Sequence, residues 1–210
     1  MTSTRCLKIA LLGAESTGKT RLARELAAEF TRRGRTATAV AEALREWCET
    51  HQRTPRPEEQ LPIAQEQERR VDEACARCDV VIADTTAVMV AIYSAMLFKD
   101  GSLYQFALER QRTYDVTLVT GLDLPWVADG LQRDGPHVRE PVDALVRAML
   151  GQAGIPFRVV YGSGPDRVAA ALAAIGSSLA PAAPAATWVW QCDKCSDPDC
   201  EHRLFSALIR

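Results

Sequence analysis

A glycine-rich segment near the start of the chain combines a lysine and a hydroxyl residue at a spacing suited to phosphate chemistry. It follows an apolar run at 7–12 and precedes a helix-forming run at 21–30, and it reads Gly13, Ala14, Glu15, Ser16, Thr17, Gly18, Lys19 and Thr20. This is a complete G-x-x-x-x-G-K-[ST] phosphate-binding loop, whose backbone N–H groups surround phosphates. Lys19 is expected to reach the β- and γ-phosphates, and Thr20 to bind Mg²⁺. The loop therefore predicts a site for ATP and Mg²⁺ built from all eight residues.

A carboxylate ends the most compact apolar strand of the sequence. Residues 79–84 read DVVIAD, so Asp84 follows four apolar residues. Nucleotide sites of the Walker type hold Mg²⁺ through an acidic residue at such a place. Strand-end aspartates also cap helices, and a helix is predicted to start near Thr85. We predict that Asp84 binds the metal and serves catalysis, with helix capping as the alternative.

A second carboxylate, Glu42, ends the predicted strand at 36–41. In a small-molecule kinase, a carboxylate here can bind the hydroxyl of the phosphate acceptor and act as its general base. Arg45 follows one helical turn later and is a further candidate for substrate contact. Alternatively, Glu42 and Arg45 form an ion pair on a solvated helix. The sequence leaves both interpretations open.

A loop rich in glycine and charge, at 129–139, is typical of a lid that closes over a phosphoryl-transfer site. Arginines on such a lid neutralise the γ-phosphate, and Arg133 and Arg139 are the candidates. Asp129 begins the loop, and Trp126 just before it is either a core residue or a platform for a planar ring. The alternative for the loop is an ordinary polar connection with solvated charges.

The C-terminal segment contains four soft metal ligands within eleven residues, namely Cys192, Cys195, Cys200 and His202. Thiolate and imidazole groups at this density suit tetrahedral Zn²⁺. The spacing differs from common zinc-finger patterns, so the alternative is a tail with reduced thiols. Zn²⁺ is therefore a candidate ligand of the tail.

The elements that must position these groups alternate along the chain. Strand-like and helix-like runs follow one another from residue 7 to residue 175, which predicts right-handed crossovers and a parallel sheet covered on both faces. We predict a three-layer α/β fold of the P-loop NTPase type at 1–176. An Ala/Pro-rich linker at 177–187 and a short Cys-rich appendage at 188–210 follow. The ends of the strands bring 13–20, Glu42 and Asp84 to one edge of the sheet.

Composition narrows the classes of function. The chain has 210 residues, a net charge of −2 and 25% charged residues, so no basic excess points to nucleic acid as a partner. No apolar run is long enough to span a bilayer, and no secretory signal precedes the first strand. We therefore expect a cytoplasmic protein with a small-molecule substrate and no membrane partner. Its oligomeric state is left open.

Five segments together resemble one family. Residues 13–20, 41–46, 82–86, 114–119 and 125–131 resemble the ribosylnicotinamide kinase domain of NadR-type proteins, in order and in spacing. The phosphate-binding loop is shared with many families, whereas the sequence PWVADGL at 125–131, following a strand that starts with Tyr-Asp, is much more specific. The resemblance extends over most of the chain.

The resemblance implies transfer of the γ-phosphate of ATP to the 5′-hydroxyl of nicotinamide riboside, in NAD biosynthesis. Lys19 and Thr20 would then serve the phosphates and the metal, and Asp84 the acceptor hydroxyl or the metal. Trp126 and Asp129 would lie near the nucleoside.

Two positions depart from the family pattern. The family usually has Asp-Thr-Asp where this chain has Asp84, Thr85 and Thr86, and it usually has arginine where this chain has Gln132, next to Arg133. These departures concern the identity of the acceptor more than the type of reaction.

Two functions from different classes fit these observations. The first is a nucleoside kinase, and the second is a P-loop NTPase switch or regulator whose tail binds a metal or a partner. A GTP switch should contain an Asn-Lys-x-Asp stretch, which this sequence lacks. Carboxylates that could face an acceptor and arginines that could close over a phosphate favour the kinase.

Overall fold

Five strands form one parallel sheet. The computed structural model describes residues 5–127 and 135–179. The strands are β1 (Leu7–Leu12), β2 (Ala37–Val40), β3 (Val80–Asp84), β4 (Val116–Thr120) and β5 (Arg158–Val160). The strand order is β2-β3-β1-β4-β5, and every neighbouring pair is parallel. The first strand of the chain is therefore the central strand of the sheet.

Seven α-helices in the described part of the chain cover both faces of the sheet. They are α1 (Lys19–Arg32), α2 (Ala43–His51), α3 (Pro57–Cys75), α4 (Ala87–Phe98), α5 (Tyr104–Gln111), α6 (Arg139–Gln152) and α7 (Gly164–Leu179). On one face, α1 and α7 pack against β1 residues such as Ile9 and Leu11. On the other face, α2 to α6 pack around Leu12 and Val119. This confirms the predicted α/β fold with helices on both sides of a parallel sheet.

The pattern of apolar residues explains where each element lies. All residues of β3 and β4 are buried, as expected for strands covered on both faces. Helix α1 buries Leu22, Leu26 and Phe30, which recur every four residues along one face. Helix α4 is apolar nearly all round because it lies between the sheet and other helices. Even so, no helix within 5–127 and 135–179 combines the length and apolar character needed to cross a bilayer.

The last described helix runs further than the sequence predicted. Helix α7 continues to Leu179, so the first residues of the predicted linker at 177–187 are helical. The hydroxyl groups of Ser177 and Ser178 donate to the carbonyl oxygens of Ala173 and Ala174, each at 2.9 Å, and so remain within the helix. The chain divides into two compact units, Met1–Leu179 and Ala180–Arg210. The second unit lies outside the described residues.

Candidate active site

The predicted site residues that the structure describes meet at the carboxyl edge of the sheet. Glu42 follows β2, Asp84 ends β3, residues 13–20 follow β1, and Thr120 ends β4. Because the register places Leu11 opposite Asp84, the carboxylate lies beside the start of the phosphate-binding loop. This edge is where open parallel sheets bind ligands.

The loop at 13–20 has the backbone conformation that surrounds an anion. Gly13, Ser16 and Gly18 have φ values of 140°, 54° and 75°, and Gly18 is the N-cap of α1. The Lys19 Nζ donates to the carbonyl oxygens of Gly13 and Ala14 at 2.9 and 2.8 Å. The ammonium group therefore lies against the loop itself, at the positive end of a helix.

The loop is held from behind by two threonines. Thr17 is fully buried, and its Oγ1 donates to the carbonyl oxygen of Ala14 at 2.7 Å and lies 2.7 Å from the Thr120 Oγ1. The Thr120 hydroxyl also donates to the carbonyl oxygen of Leu12 at 3.2 Å. These contacts tie the loop to the end of β4, which fixes its shape before any ligand binds.

Asp84 has an unusual environment for a carboxylate. It is only 3% exposed, and its Oδ1 is buried without a hydrogen-bond partner among the described residues. The N-cap of α4 is Thr86, whose hydroxyl accepts from the backbone N–H of Val88 at 3.2 Å. The alternative that Asp84 caps this helix is therefore wrong. Between them, Thr85 has a φ of 73°, a strained value for a β-branched residue, as is common at functional sites.

Glu42 and Arg45 form the ion pair that the sequence left open, but at long range. The Arg45 Nε lies 3.8 Å from the Glu42 Oε2, and the Glu42 side chain is 13% exposed. Glu42 is the N-cap residue of α2, yet its side chain makes no capping hydrogen bond. A contact this long is weak.

Two glutamines of α3 bring buried amides to the same side of the sheet. Gln60 and Gln67 are each 1% exposed, and the Gln67 Oε1 accepts from the backbone N–H of Ala43 at 2.7 Å. The Oε1 of Gln60 and the Nε2 of Gln67 are buried without a hydrogen-bond partner within the described ranges. Such groups are costly when unpaired, so they require a partner that these residue ranges do not supply.

The segment that carries Trp126 docks on the phosphate-binding loop. The Ser16 Oγ accepts from the backbone N–H of Val127 at 2.7 Å and lies 3.1 Å from its carbonyl oxygen. Trp126 is half-buried, and its indole N–H is buried without a hydrogen-bond partner in the described part of the chain. Trp126 therefore lies at the edge of the site, not in the centre of the core.

Arg139 lies in α6 and contacts the same segment. It is 8% exposed, and its Nη2 donates to the carbonyl oxygens of Leu122 and Leu124 at 3.4 and 2.9 Å. In this arrangement the guanidinium group fixes the connection between β4 and α6, which is not the exposed, swinging arginine that the lid hypothesis required. Its contact with a phosphate stays a prediction.

A family model described as AAA domain matches residues 8–167, more than half of the chain. The chain belongs to the AAA domain family. No curated protein matches it.

Solved structures with the same fold include two of NadR. The AAA domain chain is 18% identical to NadR in complex with NR, with a TM-score of 0.64 over 83% of this chain and 51% of that one. For NadR in complex with NAD and AMP-PNP, the identity is 18% and the TM-score 0.62, over 82% and 50%. The chain thus spans about half the length of these NadR chains.

A third similar structure is a deoxyadenosine kinase from M. mycoides with the products dCMP and dCDP. Its identity is 13% and its TM-score 0.56, over 81% of this chain and all of that one. At such identities, these comparisons show that the AAA domain chain shares its fold with NadR and with this deoxyadenosine kinase.

Several predicted site residues lie outside the described residues. They are the loop residues Asp129 and Arg133 and the tail residues Cys192, Cys195, Cys200 and His202. Within 5–127 and 135–179, no group of three or more His, Cys, Asp or Glu residues could hold a metal ion. Zinc binding by the tail of the AAA domain chain stays a prediction.

Sequence reasoning missed two residues that support the phosphate-binding loop of this AAA domain. Thr120 could have been found, because it ends the strand next to β1 and follows the strand-end rule. Arg167 is 4% exposed and recurs with Ala171 and Ile175 on the buried face of α7. The only sequence signal for Arg167 is the presence of an arginine at a position where the helical period predicts an apolar residue.

Proposed function

We propose that this protein transfers the γ-phosphate of ATP to a hydroxyl group of a nucleoside, and that nicotinamide riboside is the first acceptor to test. The observation that carries the proposal is the buried Asp84 carboxylate beside a complete phosphate-binding loop. Neither feature alone distinguishes a kinase from another P-loop protein. Together they put an acceptor for a proton or a metal next to the phosphates.

On the nucleotide side, the loop holds the phosphates by backbone N–H groups and the Lys19 ammonium group. Mg²⁺ prefers oxygen ligands. The Oδ1 of Asp84, which has no partner among the described residues, and the hydroxyl of Thr20 fit that preference. When bound, Mg²⁺ neutralises charge on the phosphates. Lys19 and the N-terminus of α1 add positive charge at the same place.

On the acceptor side, Asp84 or Glu42 accepts the proton of the substrate hydroxyl. The hydroxyl oxygen forms a bond to the γ-phosphorus, the bond from that phosphorus to the bridging oxygen of ADP breaks, and ADP leaves. The buried amides of Gln60 and Gln67, on the β2 side of the site, can bind polar edges of the nucleoside. Phosphoryl transfer depends mainly on such positioning.

The nucleoside class is supported by the similarity of fold to NadR and to a deoxyadenosine kinase. The resemblance of the segments at 82–86 and 125–131 to the ribosylnicotinamide kinase domain favours nicotinamide riboside within that class. We assign Trp126, Arg45 and Asp129 to the nucleoside side and Arg133 to the phosphates. Arg139 stays a candidate for the phosphates only if its contacts with Leu122 and Leu124 break on closure.

The test is a coupled ADP-release assay with Mg·ATP and a panel of nucleosides. We expect nicotinamide riboside to accelerate ATP consumption and the Lys19→Ala variant to abolish it, because the lysine binds the phosphates. Lys99→Ala, which removes an exposed lysine at the end of α4, is the matched control and should retain activity. ATP hydrolysis that no nucleoside accelerates would reject the kinase and favour the NTPase switch.

A further inference from the structure

Arg167 is a buried arginine whose contacts lead directly to the phosphate-binding loop. It lies in the first turn of α7 and is 4% exposed. Its Nη2 donates to the carbonyl oxygen of Thr17 at 2.8 Å, and its Nη1 donates to the carbonyl oxygen of Gly162 at 3.0 Å. The guanidinium group thus bridges the loop after β1 and the turn after β5. Arg167 and Thr17 are 150 residues apart in sequence.

The contact with Thr17 sets the direction of the next N–H group. In a trans peptide, the carbonyl oxygen and the following N–H point in opposite directions. Because the Thr17 carbonyl oxygen accepts from Arg167, the N–H of Gly18 points away from Arg167, and we infer that it faces the phosphates that such loops bind. Gly18 has a φ of 75° and is the N-cap of α1, so this peptide plane is part of the anion-binding surface.

The charge of Arg167 is not neutralised locally. Other arginines of the described chain, such as Arg53 and Arg147, form close ion pairs with carboxylates. Arg167 forms none within the described residues, and its Nε is buried without a hydrogen-bond partner there. Burial lowers the pKa of its guanidinium group, against a weaker opposing effect of Asp123 and Glu25. An unpaired buried cation is costly to a protein unless something compensates it.

We propose that Arg167 is a positioning residue of the nucleotide site, whose buried charge is compensated by the polyphosphate when the nucleotide binds. It acts through the Thr17 carbonyl by orienting the Thr17–Gly18 peptide, and it adds positive charge behind the loop. The proposal rests on the proposed use of ATP but not on the identity of the acceptor. It predicts that Arg167 serves nucleotide affinity at the expense of stability in the free protein.

The first part of the test uses calorimetry with Mg·ATP to measure the Kd for ATP in three variants. Arg167→Met removes the charge but keeps a long side chain, and we expect its Kd for ATP to rise by about tenfold or more. Arg158→Met removes an exposed arginine of β5 and is the charge-matched control, with a Kd within about twofold of the wild type. Arg167→Lys keeps the charge but cannot donate to both carbonyl oxygens in the same way. Its Kd should therefore lie between those of the wild type and Arg167→Met.

Thermal unfolding of the free proteins separates positioning from a structural role. We expect Arg167→Met to unfold at the wild-type temperature or higher, since it removes an uncompensated charge. A lower unfolding temperature with an unchanged Kd would overturn the proposal and make Arg167 a structural residue. A Kd of Arg167→Lys equal to that of Arg167→Met would overturn the contribution of the charge. If the wild type binds no ATP, the proposed function fails, whatever the variants do.

Discussion

Replacing Gly13 by alanine tests whether the phosphate-binding loop has the tight fit described above. A Cβ at Gly13 would lie 2.2 Å from the Thr120 Oγ1 and 3.1 Å from the Thr120 carbonyl oxygen, and the backbone φ is 140°. The strained backbone costs about 1–3 kcal/mol. Displacing the Thr120 hydroxyl also loses its contacts with Thr17 and Leu12, at about 0.5–1.5 kcal/mol each. We expect Gly13→Ala to reduce the free energy of unfolding by about 2–6 kcal/mol.

Gly34→Ala is the matched control, because Gly34 also has a positive φ, of 82°, but a Cβ there meets nothing within 4 Å. It should cost only the backbone term, about 1–2 kcal/mol. Urea denaturation followed by circular dichroism measures both variants, and calorimetry with ATP shows whether only Gly13→Ala weakens binding. The double variant Gly13→Ala/Thr120→Ala should be less destabilised than the sum of its single variants by about 1 kcal/mol or more. Additive single variants, or equal costs at Gly13 and Gly34, would refute the steric reasoning.

Two further variants test the carboxylates. Asp84→Asn should lower kcat in the ADP-release assay by about a hundredfold or more, because the amide neither accepts the proton nor binds the metal well. The control is Asp100→Asn in a surface turn, which should leave kcat unchanged. Equal kcat values for the two variants would remove Asp84 from the mechanism. Glu59→Gln should make the free energy of unfolding less dependent on pH in the acid range. Hydrogen bonds from the Arg53 side chain and from the N-cap backbone N–H of α3 lower the pKa of Glu59 from 4.5 to about 2, so its stabilisation is complete above pH 4.5 and is lost as the pH falls towards 2. Urea titrations at several pH values should show this loss in the wild type and in Glu58→Gln but not in Glu59→Gln, and parallel curves for all three would contradict the assignment.

The fold could be predicted from the sequence because the local signals agree. Each strand is a short apolar run, each helix has an apolar face or a clear start, and the loop at 13–20 has a motif of its own. The secondary structure could therefore be predicted from local sequence alone. The strand-end rule also predicts Glu42 and Asp84 on one edge of the sheet from the sequence alone.

The parts that escaped prediction depend on contacts between distant residues. Nothing near Arg139 in the sequence indicates that its guanidinium group binds the carbonyl oxygens of Leu122 and Leu124. The cap of α4 is a local contact, but the sequence does not decide between Asp84 and Thr86, because both residue types cap helices. The sequence alone does not show whether a charged side chain is solvated or binds a backbone carbonyl oxygen. Only the tertiary structure shows which role it has.

The position of β1 in the middle of the sheet has a consequence for how the protein matures. The nucleotide loop is made early in synthesis, but the groups that shape it, Thr120 and Arg167, lie 103 and 150 residues downstream of Thr17. A nascent or truncated chain that lacks them has the full motif and no rigid anion pocket. Such long-range closure slows folding. On the proposed function, retention of ATP should therefore distinguish complete molecules from truncated ones.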